Sequence, residues 1–163
     1  MKSTFLFCGV SVMLAGCAST PLALSPVGPG PNNRPALAQK SSEGHLQVFS
    51  AREKSNEIGF NTYFYPHSGY RINDADGKTV SYVPNHLSDM DEYPDQVTLP
   101  AGNYQVVARS TWSGQVIVPV VIENGNTTVV HLDDSAWTPS GAAADQLVYL
   151  PNKEAVGWGS SQP

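Results

Sequence analysis

The stretch that decides the fold lies between Leu99 and Leu132. It opens as Leu99-Pro100-Ala101-Gly102-Asn103-Tyr104-Gln105-Val106 and continues as Val116-Ile117-Val118-Pro119-Val120-Val121-Ile122-Glu123-Asn124-Gly125-Asn126-Thr127-Thr128-Val129-Val130-His131-Leu132. Asn103 to Ser110 alternates, with Tyr104, Val106 and Ala108 on one face, because successive side chains of a strand point to opposite sides. Val116 to Ile122 is a nearly continuous apolar strand. Pro119 interrupts it and has no N–H to give a ladder, so it is expected at an edge or a bulge. Asn124-Gly125 is a hairpin signal, since both residues tolerate positive φ, and Thr127 to Leu132 is expected to run back from it. The expected core residues are Tyr104, Val106, Val118, Val120, Ile122, Val129 and Leu132.

Upstream, the same grammar repeats. Leu46 to Ser50, Asn61 to Tyr65 (ended by Pro66), Tyr70 to Ile72, Thr79 to Val83 and Val97 to Leu99 are short strand-like runs. Asp76-Gly77, between Tyr70–Ile72 and Thr79–Val83, is another hairpin signal. No window of helical length carries a 3.6-residue apolar period. Turn signals fall about every 8–12 residues, the spacing of a sandwich. The fold class is therefore all-β: a single small antiparallel β-sandwich of Greek-key type over residues 45–134. Residues 135–163 are a Pro-, Ser-, Gly- and Ala-containing loop followed by a candidate final hairpin, Leu147–Leu150 with Ala155–Trp158. That hairpin is expected at a sheet edge or as a flap, and Gly159 to Pro163 are expected to fray.

The beginning of the chain has a different character. Met1-Lys2-Ser3 carries one positive charge, and Thr4 to Met13 is an uncharged, mostly apolar run. It is too short to span a bilayer, which takes about 20 residues, and it matches the apolar region of a secretory signal peptide. Leu14-Ala15-Gly16-Cys17 follows and resembles the lipobox of bacterial lipoproteins. The resemblance implies cleavage between Gly16 and Cys17 and acylation at Cys17, whose nucleophilic thiolate forms the thioether. Residues 1–16 are then a signal peptide, and Cys8 leaves with it. Two or three acyl chains, at about 0.8 kcal/mol per buried methylene, anchor far more firmly than one. Ala18 stands where an aspartate retains such proteins at the inner membrane, so the implied location is the outer membrane of a two-membrane cell, or otherwise the cell surface. Residues 17–44 read as the lipidated cysteine and a semi-extended tether, with Pro21, Pro26, Pro29, Pro31 and Pro35 breaking regular structure.

The Leu99–Val106 segment and the Val118–Leu132 segment together also resemble the carboxypeptidase-regulatory-like and PEGA-like surface domains. Asp74-Ala75-Asp76-Gly77-Lys78 resembles the earlier turn of those domains. The resemblance spans roughly residues 45–134 and implies a transthyretin-like (prealbumin-like) sandwich in a non-enzymatic envelope protein. It carries over no catalytic residue and no cofactor. The stretch from His86 to Asp95 departs from the pattern, where an acidic loop replaces a short connection.

Composition narrows the partners. The chain has 163 residues, 14 Asp+Glu against 9 Lys+Arg and a net charge of -5, which argues against nucleic acid, whose footprint is a basic stripe. Two cysteines are too few for a disulfide scaffold. The expected partners are the membrane, through the N-terminal lipid, and another envelope component, either protein or glycan. Two other readings rest on particular residues. Trp112 at a loop tip, with Tyr63 and Tyr65 on one strand face, would suit a carbohydrate-binding platform, since exposed rings stack on sugars. His67, His86, Asp89, Asp91 and Glu92 would suit a cation site or a hydrolytic centre. Asp89-x-Asp91 has calcium-like spacing but lacks the EF-hand glycine and terminal glutamate, and no His-x-x-x-His pair is present. His131 alternates with Val130 and Leu132, so it is expected to face solvent or the opposite sheet face.

Overall fold

The computed structural model describes residues 20–31, 42–56, 63–139 and 144–160. The expected signal peptide (residues 1–16, with Cys8 and Gly16), Cys17, residues 61–62 of the Asn61–Tyr65 run and residues 161–163 of the expected frayed end lie outside the described residues. The strands in chain order are β1 (Leu22–Ala23), β2 (Val27–Gly28), β3 (Glu43–Phe49), β4 (Ser55–Asn56), β5 (Tyr63–Phe64), β6 (Tyr70–Asp74) and β7 (Thr79–Val83). They continue as β8 (Gln96–Pro100), β9 (Gly102–Ser110), β10 (Gly114–Ile122), β11 (Thr127–His131), β12 (Leu147–Tyr149) and β13 (Ala155–Gly159). A 3-10 turn, Ala144–Gln146, leads into β12.

Two sheets form a small β-sandwich. The larger runs β12-β13-β2-β10-β9-β6-β7, with β1 also on β10, and the smaller runs β11-β3-β8. The pair β4–β5 stands apart. Alternation on β10 buries Val116, Val118, Val120 and Ile122. Facing them across the sandwich are Leu46 and Val48 of β3, Leu99 of β8, and Val130 with Leu132 at β11. A fully buried side chain of this size contributes about 1.5–3 kcal/mol, so this layer carries the stability. The β6–β7 connection has Gly77 at φ 83, as the Asp76-Gly77 signal required.

The segment expected as a tether belongs in part to the sandwich. Both β1 and β2 pair in parallel with β10, Leu22 opposite Val116 and Val27 opposite Val120. The prolines do punctuate the segment, since Pro21, Pro26 and Pro29 flank the two strands and limit each to two residues. They do not keep it out of the sheet, because Val27 is fully buried and Leu22 and Leu24 pack against the core. Pro119 lies in an interior strand, opposite the break between β1 and β2, so its missing N–H falls where that ladder is already interrupted.

Asn124-Gly125 turns the chain but makes no hairpin. After it, β11 leaves the sheet of β10 and pairs in parallel with β3. The arch is tied from below, where Gly125 N–H donates to Glu43 O (2.8 Å) and His45 N–H to Asn126 O (2.8 Å). Thr128 Oγ1 donates to Val121 O at 2.6 Å across it. Gly44 passes directly under the arch, where a Cβ would collide with Glu123 O. Crossing between sheets also changes which residues point inward: Val130 is fully buried, whereas Val129 is only half-buried. Tyr104 is half-buried as well, its hydroxyl donating to Pro100 O at 3.1 Å.

The C-terminal hairpin is integral too. The strand β13 pairs antiparallel with β2, Trp158 opposite Gly28. Gly157 makes the close approach possible, since a Cβ there would sit 2.6 Å from Val27 Cγ1 and 2.8 Å from Val129 O. The sandwich therefore extends well beyond 45–134 at both ends, and β2 is its seam.

Candidate binding cleft

At the end of β11, the face opposite the core-facing Val130 and Leu132 carries polar groups. His131 and Asp133, two residues apart, are both buried. The chain then turns through Ala136, at φ 39, and Trp137 folds back. The His131 ring is sandwiched between Phe49 and Trp137, each stacked with centroids 4.5 Å away and planes 14° apart. His67 meets the edge of Phe49 at 5.5 Å. Burial among these rings holds His131 down at about 4, against the attraction of Asp133, and lowers His67 as well. Both are therefore neutral at pH 7.

Asp133 is fully enclosed and compensated. Ser135 Oγ donates to its Oδ1 at 2.7 Å, and Arg52 Nη2 stands 3.5 Å from its Oδ2. His131 Nδ1 is 3.9 Å from Oδ1, too long for a hydrogen bond. On the other side stands the C-terminal hairpin, whose alternation buries Val148 and leaves Leu147 and Tyr149 facing outward. Between the hairpin and the 131–139 segment is a cleft of about 370 Å³, lined by His131, Trp137, Leu147, Tyr149, Lys153 and Glu154 among others. That size falls in the range of small-ligand sites. Two buried atoms of its lining, His131 Nδ1 and Glu154 Oε2, have no hydrogen-bond partner.

The residues singled out from the sequence fall elsewhere. His67 is buried with Nδ1 against Ser50 O (2.6 Å), and His86 Nδ1 contacts His67 O (3.0 Å). The Asp91 carboxylate accepts from the N–H groups of Leu87 and Tyr93, which hold it below the usual carboxylate range. Glu92 accepts from Tyr65 N–H at 2.8 Å, and Asp89 is exposed. His67 Nδ1, His86 Nδ1, Asp91 and Glu92 are thus engaged with backbone groups, and no cluster of three metal-binding side chains occurs among the described residues. Asn85, just before this loop, is buried at φ 70. Its amide donates to Val48 O and Ser50 Oγ, and its Oδ1 accepts from Asp95 N–H. The acidic loop is thus pinned to β3.

The aromatic candidates are exposed but separate. Trp112, 64% exposed, tips the β9–β10 turn, and Tyr63 is covered by Lys54 Nζ at 3.6 Å. Tyr65 is exposed. The ring contacts among the described residues link Phe49, His67, His131 and Trp137, and none joins Trp112 to Tyr63 or Tyr65. Sequence reading missed the cleft. His131 lies on the sheet face opposite Val130 and Leu132, one of the two places expected for it, and is covered there by Phe49; the usable signal was His131-x-Asp133, which puts both side chains on one strand face. Trp137 and Glu154 carried no local signal.

Compared with known families, curated proteins and solved structures, the chain matches none.

Proposed function

We propose that this chain is a lipid-anchored protein of the bacterial cell envelope whose β-sandwich binds a ligand or partner and performs no chemistry of its own. The observation that carries the anchor is Leu14-Ala15-Gly16-Cys17 at the end of an uncharged apolar run. In this reading Cys17 holds the acyl chains, and the absence of aspartate at Ala18 directs the protein to the outer membrane where there is one. The binding role is supported by the cleft beside Trp137, which has aromatic walls and unpartnered polar atoms. The likeness of residues 45–134 to transthyretin-like envelope domains points the same way.

The anchor is tested by growing cells with an alkyne fatty acid and comparing the natural chain with Cys17→Ser. The natural chain should carry label and sediment with membranes, and the variant should lose both. Retention of label and membrane fraction by Cys17→Ser would sink the lipid anchor.

A further inference from the structure

We propose that the cleft between Trp137 and the β12–β13 turn is a receptor site for an organic cation, an ammonium or guanidinium group carried on an apolar stem. The inference deepens the binding role proposed above and is independent of the lipid anchor. It starts from Glu154. The Oε2 atom is buried and has no partner, and an unpaired buried carboxylate oxygen is costly until a donor reaches it. A cation supplies several N–H donors and the opposite charge together.

The rest of the lining fits the same guest. Trp137 and Tyr149 line the cleft with aromatic rings, a residue type that attracts cations, and Leu147 with Pro139 offers an apolar rest for a stem. The His131 side chain is nine-tenths buried and its Nδ1 is unpartnered. Its ring is neutral at pH 7, so it adds no positive charge to repel the guest. Asp133 is already compensated by Arg52 and Ser135. The cation of the lining itself, Lys153, is exposed in the turn and forms no ion pair with Glu154 among the described residues. The net charge of -5 favours approach of a cation from solution.

The experiment titrates the folded chain with benzylammonium and with benzyl alcohol, its neutral counterpart, following the Trp137 indole N–H and the amides of residues 153–155 by NMR. Benzylammonium is expected to shift these signals and to bind about tenfold more tightly than the alcohol, the difference of a charge-assisted hydrogen bond. Glu154→Gln keeps the shape and should abolish that preference. Equal binding of alcohol and ammonium, or an unchanged preference in Glu154→Gln, overturns the cation proposal while leaving a binding cleft. If neither probe shifts the cleft, the binding role fails with it, and the Cys17 result still stands alone. Should Glu154→Gln fail to fold, the comparison of the two probes on the natural chain decides.

Discussion

The imidazole of His131 lies flat on the indole of Trp137, with centroids 4.5 Å apart and planes 14° from parallel. Phe49 covers the opposite face at the same distance. The indole is therefore the lid that keeps water from a buried histidine. Trp137→Ala should raise the His131 pKa from about 4 toward the ordinary value near 6.5. It should also cost about 1–2 kcal/mol of stability through lost ring contact. An NMR titration of the imidazole and a urea melt check the two parts, and a His131 that still titrates near its natural value would contradict the first.

Acid should weaken the fold before the carboxylates titrate. The His131 pKa is lower folded than unfolded, so the unfolded chain binds more protons between pH 6.5 and about 4. Stability is then fully present above pH 6.5 and declines as pH falls toward 4, by roughly 3 kcal/mol for this residue. His67 is shifted in the same direction. Urea midpoints at a series of pH values should show this slope, and His131→Phe should flatten it.

Asn85 holds a conformation that few side chains accept, and it bonds three separate backbone or hydroxyl groups. Asn85→Ala takes its partner from Val48 O and from Asp95 N–H, leaving Ser50 Oγ its bond to Ser68 O, and should destabilise by about 2–4 kcal/mol. Denaturant unfolding measures it. A loss below about 0.5 kcal/mol, the range of ordinary surface changes, would mean the loop is held some other way.

Deleting residues 18–31 should loosen the far end of the chain. With β2 gone, β13 keeps only β12 as a hydrogen-bonded strand partner, and a two-stranded hairpin is marginal in water. Hydrogen exchange at Val148 and Val156 should become fast while Val106 and Val118 stay protected. Unchanged protection at Val148 and Val156 would show that the hairpin docks without β2.

The alternating runs and the Asp76-Gly77 turn were legible because strand period and turn chemistry are local. Leu46, Val48, Val106 and Val118 point inward as alternation requires. The destination of β11 was not legible. Asn124-Gly125 specifies a reversal, but whether the returning strand joins its predecessor or crosses to β3 depends on Gly44 beneath the arch, some eighty residues away in sequence. Prolines hid β1 and β2, since each strand is too short to show a period. The cleft was illegible for a related reason: Trp137, His131 and Glu154 meet only after the last hairpin docks, and no spacing in the sequence reports that meeting.

The seam formed by β2 has a consequence for the order of events in folding. Gly28 and Trp158 come from opposite ends of the described chain, so their contact has nearly the greatest sequence separation the molecule allows. Such contacts carry a large loop-closure entropy and form late. The central strands can assemble first, and the sandwich locks only when its earliest and latest segments find each other. The Trp137 cleft, which needs the docked hairpin as one wall, then comes into being in that final step.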